Sequence, residues 1–93
     1  MVLFPIGTIY LTRSVHEKIS HSERFEMFVI RSVKRHMSGD WGDLGEEDKK
    51  ENVLSLEKGF RLLSSYKYRD GTRIWIITEA DRSSTTILFP EEY

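Results

Sequence analysis

Apolar positions along the chain change period three times, and each change marks an element. Ile6 to Thr12 (IGTIYLT) is β-branched and aromatic, with Ile6, Thr8 and Tyr10 on one face and Ile9 and Leu11 on the other, which predicts a first strand. From Phe25 the period becomes helical. Phe25, Phe28, Val29, Val33, His36 and Met37 form one stripe of a main helix that ends at Gly39, while Arg24, Arg31, Lys34 and Arg35 lie mostly outside it. Ser14-x-x-Glu17 and Ser20-x-x-Glu23 both have capping-box spacing, so a helical turn over 15–19 precedes or joins this helix. A second helix starts near Asp43–Glu46 and ends at Gly59, with acids in its first turn and Lys58 in its last, as the helix dipole favours. Val53, Leu54 and Leu56 give it a weaker apolar face, which predicts a surface helix.

The last third returns to period two. Runs over 60–68 and 72–79 flank Asp70-Gly71, a strong hairpin signal, and a two-residue turn there places Tyr66 opposite Trp75 and Ser64 opposite Ile77. Ile74 to Ile77 (IWII) is apolar on both faces and reads as a central strand. Thr85 to Phe89 follows as its antiparallel neighbour, and Pro90 ends it. The expected fold is α+β: one domain over 1–93, ordered strand-helix-helix-strand-strand-strand, an antiparallel sheet with helices packed on one face.

Composition narrows the function classes. Ninety-three residues with 39% apolar content support one modest core and no deep lidded cavity. The absence of cysteine excludes disulfides, thiolate metal sites and cysteine nucleophiles, and fits the cytoplasm. The opening MVLFPIG is apolar but has no basic region before it, so it reads neither as a secretory signal nor as a membrane span. Fourteen basic and fifteen acidic groups nearly cancel, so bulk charge points neither to nucleic-acid binding nor to a DNA mimic.

Charge is informative by segment instead. Residues 13–36 carry six basic and three acidic groups, residues 40–57 two and seven, and residues 58–93 six and five. The acidic segment begins where Trp41 sits between two Gly-Asp steps in His36–Lys50, HMSGDWGDLGEEDKK. A flexible turn with a large aromatic and several carboxylates suits the gripping of a partner. Asp40, Trp41, Asp43, Glu46, Glu47 and Asp48 are therefore the candidate partner-binding residues. In this reading Trp41 is the exposed anchor, and the carboxylates steer towards a basic, nucleic-acid-binding surface of another protein. The competing expectation is that Trp41 closes the core between the helices.

Reaction chemistry finds little support. His16, His21 and His36 share no metal-ligand spacing with one another or with Asp40 and Asp43. Ser83–Thr86 offers hydroxyls without an elbow motif, and Gly39, Gly42 and Gly45 follow no strand and precede no P-loop lysine. The expectation is no catalytic residue, no metal and no cofactor, with a protein partner or a second copy of the chain in preference to nucleic acid or membrane.

Two resemblances bear on this. The element order resembles the RelE-type toxin superfamily, whose members cut ribosome-bound mRNA or inhibit gyrase. That resemblance would imply roles for Arg61, Arg69, Arg73, Arg82 and Tyr93 in phosphate chemistry, against a net charge of −1. More of the chain is carried by running text: VHEKI (15–19), KRHMSGDWGDL (34–44), EEDK (46–49) and DGTRIWIITEADRSSTTILFPEEY (70–93). These resemble a family of small plasmid-related proteins of unknown function from bacterial plasmids and integrative elements. The resemblance implies a mobile-element setting, in which small proteins without enzymatic activity disarm host restriction or CRISPR complexes by occupying their DNA-binding or assembly surfaces.

Overall fold

The computed structural model describes residues 2–93. The elements are β1 (Thr8–Leu11), α1 (Arg13–Ser20), α2 (Glu23–Met37), α3 (Glu46–Lys58), β2 (Leu62–Lys67), β3 (Arg73–Thr78) and β4 (Ser84–Leu88), with a closing 3-10 turn over Pro90–Glu92. The fold is the expected α+β layer, and the IWII strand is interior. The sheet order is β1-β4-β3-β2.

One detail corrects the expected antiparallel sheet. β1 runs parallel to β4, with Thr8 beside Ser84 and Leu11 beside Ile87, so the sheet is mixed. The chain leaves β1 through the helices, enters the sheet at the far edge as β2, and meanders back through β3 and β4. The last strand then meets the first in the same direction.

The helix starts also differ from the capping boxes. Thr12 Oγ1 accepts from the Val15 N–H at 3.3 Å and caps α1, while Ser22 Oγ accepts from the Phe25 N–H at 3.1 Å and caps α2. Ser14 and Ser20 lie inside or at the end of α1. A break at His21–Ser22 makes α1 a separate helix, and the α2 stripe then buries Phe25, Val29 and His36.

The hairpin falls at Asp70-Gly71, but its register is one residue from that expected. The Gly71 N–H bonds Tyr68 O at 2.9 Å and the Tyr68 N–H bonds Thr72 O at 2.7 Å, which makes a three-residue loop. Gly71 takes φ of 94°, the left-handed conformation such a loop requires after a type I turn. Tyr66 therefore pairs with Ile74, Ser65 with Trp75 and Ser64 with Ile76. A one-residue slip exchanges the faces. Tyr66, Ile74, Ile76 and Ile87 lie in one cluster with Val15, Phe25 and Val29 from α1 and α2. Trp75 takes the other face, against Tyr93 at 5.6 Å.

A second, smaller cluster joins Phe4, Trp41 and Leu62. Between the clusters runs a buried polar chain. His36 bonds Ser64 Oγ through Nδ1 and Thr78 Oγ1 through Nε2 at 2.9 Å, Thr78 bonds Thr85 at 2.7 Å, and Thr85 Oγ1 donates to Ile6 O at 2.7 Å. A carbonyl can only accept, so the chain has one direction as far as the ring: Thr78 donates to Thr85 and His36 Nε2–H donates to Thr78, and a neutral ring then accepts from Ser64 at Nδ1. Both ring nitrogens of His36 are thus engaged. Burial, with a smaller contribution from the Arg82 charge, pushes its pKa down to about 4.

Candidate functional site

The loop after α2 also departs from expectation. Trp41 was expected as an exposed anchor, and its side chain is only 6% exposed. It stacks on Phe4 at 6.2 Å and meets the His36 ring edge-on at 5.8 Å. The competing expectation, that Trp41 closes the core, describes its position. The backbone of the loop is also held, contrary to the flexible turn expected. Ser65 N–H donates to Trp41 O at 3.2 Å, Asp43 N–H donates to Ser65 O at 2.7 Å, and Tyr66 Oη donates to Asp40 O at 2.7 Å. The loop lies against β2 as a short extra strand, with Gly42 bridged to Ser65. Gly42 has φ of 73°, and a Cβ there would sit 2.0 Å from Ser65 O, so only glycine lets the loop approach this closely.

The six candidate residues therefore divide. Asp40 is held by Arg35, with Nε to Oδ2 at 2.7 Å and Nη2 to Oδ1 at 3.1 Å. That guanidinium, with help from the Gly42 N–H, keeps the carboxyl below its ordinary range. Asp43 pairs with Arg73 at 3.0 Å. Both carboxylates are half-exposed and ion-paired within the chain, so they face their own arginines across the loop. Glu46, Glu47 and Asp48 are exposed in the first turn of α3, where Glu46 has only a 4.0 Å approach from Lys49. Trp41 and the two aspartates thus form a support, and the exposed acids continue from it along α3.

α3 itself is unusual. Its buried residues are polar, Asn52 and Ser55, while Val53 is 62% and Leu54 40% exposed. Asn52 explains this arrangement. Its Nδ2 donates to Leu63 O at 2.6 Å and its Oδ1 accepts the Leu63 N–H at 3.1 Å, so a side-chain amide takes the place of a strand partner at the β2 edge. Of the apolar residues of α3, Leu56 is partly buried against the Phe4–Trp41–Leu62 cluster, and Val53 and Leu54 are left facing outward. Phe60, just beyond the αL cap at Gly59, is exposed as well. Between α3 and the ends of β2 and β3 a shallow groove of about 450 Å³ is lined by Asp48, Glu51, Phe60 and Leu63 among others. Val53, Leu54 and Phe60 were not among the candidates. The spacing of Asn52 and Ser55 on one helical face carried the signal.

The residues implied by the toxin resemblance do not converge. Arg82, at φ of 61°, donates to Phe60 O at 2.7 Å, Glu79 O at 3.1 Å and Ser55 O at 3.1 Å, and so locks the β3–β4 turn to the end of α3. Arg73 is paired with Asp43, and Arg61 lies between Glu79 at 3.5 Å and Tyr93 Oη at 3.0 Å. Only Arg61 and Tyr93 meet. The Ser64–His36 pair has the atoms of a nucleophile and a base, but both side chains are enclosed, and His36 Nε2 is engaged by Thr78 instead of facing a carboxylate. Ser64 is fully buried. Among the described residues, no group of three or more His, Asp or Glu side chains is placed to hold a metal ion, and no helix is long and apolar enough to cross a membrane.

Comparison with known proteins adds no relative: no family model, no curated protein and no solved structure matches the chain.

Proposed function

We propose that this chain is a non-enzymatic protein-binding module whose working surface is the outward face of α3. The observation that carries the reading is the outward placement of two of the three apolar residues of that helix, Leu56 alone facing the core. Val53 and Leu54 face water while Asn52 and Ser55 are buried, at odds with the ordinary pattern of a surface helix. In this reading Glu46, Glu47 and Asp48 steer the encounter with a basic partner. Val53, Leu54 and Phe60 then provide the apolar contact first assigned to Trp41. Asp40, Trp41 and Asp43 act indirectly, by fixing the loop from which α3 starts.

The partner chemistry proposed is a basic protein surface that otherwise binds nucleic acid. The resemblance to plasmid-related proteins supplies a setting in the bacterial cytoplasm, where the module would inhibit a CRISPR or restriction complex. The test is expression in a host carrying such a system, followed by transfer of a targeted plasmid. The module should raise plasmid recovery without slowing growth, and Leu54→Asp should abolish the protection while the protein accumulates normally. Growth arrest that disappears when Arg73 is neutralised would instead support a toxin.

A further inference from the structure

The two edges of the sheet are finished in opposite ways. At β2, Asn52 and the Trp41–Asp43 loop occupy the outward main-chain groups of Leu63 and Ser65. At β1 nothing comparable is present among the described residues. The N–H groups of Thr8 and Thr12 bond Ser83 O at 3.0 Å and Ile87 O at 3.1 Å, so by the alternation of a strand the N–H and C=O of Ile9 and Leu11 point away from the sheet. All four residues of β1 are exposed, and none is charged or proline. Exposed edges are ordinarily kept short or carry lysine, proline or a bulge that prevents pairing, and of these β1 has only its four-residue length.

Behind this edge a groove of about 610 Å³ opens between β1 and α2, with Ile9, Leu11, Ile30, Val33 and Met37 in its walls. On its α2 side Glu26, Ile30 and Lys34 follow one another at four-residue spacing, forming a single ridge. Glu26 and Lys34 are exposed, and neither has an ion-pair partner among the described residues. The charges are opposite and equidistant from Ile30. Laid antiparallel on a copy of itself, the ridge brings Ile30 to Ile30 and each Glu26 to the other copy's Lys34.

We propose that the β1 edge and this ridge form the interface of a two-fold homodimer. A two-fold axis perpendicular to the sheet makes β1 antiparallel to its copy, with Ile9 and Leu11 exchanging main-chain bonds. The same operation keeps both α2 helices on one side of the joined sheet and sets them antiparallel. A foreign strand could use the edge, but it would have no reason to find Glu26 and Lys34 placed symmetrically about Ile30. α3 lies at the opposite edge, so the dimer leaves two copies of that surface free and does not depend on the function proposed for it.

The mass of the full chain, measured by light scattering or sedimentation between about 1 and 100 µM, tests this. The expected mass is twice the 11.0 kDa of one chain. Glu26→Lys and Lys34→Glu, each placing like charges together, should raise the dimer dissociation constant roughly tenfold or more. Combined in one chain, they should restore it. Ile9→Asp should give a monomer with unchanged circular dichroism. A wild-type chain that stays monomeric at the highest concentration, whether or not it takes up a foreign strand, would overturn the proposal. So would a double charge reversal that fails to recover what the single ones lose.

Discussion

The side-chain amide of Asn52 pairs with both main-chain groups of Leu63, donating at 2.6 Å and accepting at 3.1 Å. This one relationship docks α3, seals the middle of the β2 edge, and decides which side of α3 faces water. Asn52→Ala should therefore lower stability by about 2 kcal/mol, since two hydrogen bonds are lost and the strand groups are left to compete for solvent. Amide exchange at Leu63 should accelerate more than that of Ile76 in the interior strand. Equal acceleration at both positions would mean that Asn52 supports global stability without acting locally.

Trp41 should behave as a core residue. Trp41→Ala removes the partner on which Phe4 and His36 pack, and thermal or denaturant unfolding should show a loss of roughly 3 to 5 kcal/mol. Partner capture, measured below the lowered melting temperature, should fall only as far as the folded fraction falls. A variant of normal stability that had lost its partner would return Trp41 to the role of anchor.

Stability should depend on pH through His36. The folded ring titrates at about 4, below its ordinary value of 6.5, because burial disfavours the charged form and the ring's hydrogen bonds are used in its neutral state. Between those two values the unfolded chain binds the proton and the folded chain does not, so stability falls as the pH is lowered from 6.5 towards 4. The full loss attributable to this group is ~3 kcal/mol. Urea midpoints should show that slope most clearly between about pH 5 and 7, above the range in which the carboxylates of Asp40, Asp70, Asp81 and Glu92 add theirs, and His36→Gln should flatten it there.

Much of this fold was legible in residue order, and the parts that were not have physical reasons. The helical stripe from Phe25, the αL stop at Gly59, the Asp70-Gly71 hairpin and the interior IWII strand follow from periodicity and turn chemistry, which are local. The hairpin register depended on whether the loop used two residues or three, a choice Gly71 permits either way. The parallel pairing of β1 with β4 joins opposite ends of the chain, and no local pattern encodes it. In the candidate site the exposed acids of α3 were readable. The fates of Asp40 and Asp43 were not, because their partners Arg35 and Arg73 are set by the path of the loop across β2. The surface position of α3 was legible, but the outward placement of Val53 and Leu54 was not, because it follows from the pairing of Asn52 with Leu63 on another element.

The most direct test of the account is the binding of a purified partner to the α3 surface. The partner would be recovered from a host lysate on the immobilised chain, identified, and its affinity measured for the wild type, Leu54→Asp and the double variant Glu47→Lys/Asp48→Lys. The account predicts a partner with a basic surface, at least tenfold weaker binding for Leu54→Asp, and slower, less salt-sensitive association for the charge-reversed variant at unchanged thermal stability. Affinities that are the same for all three proteins would contradict it.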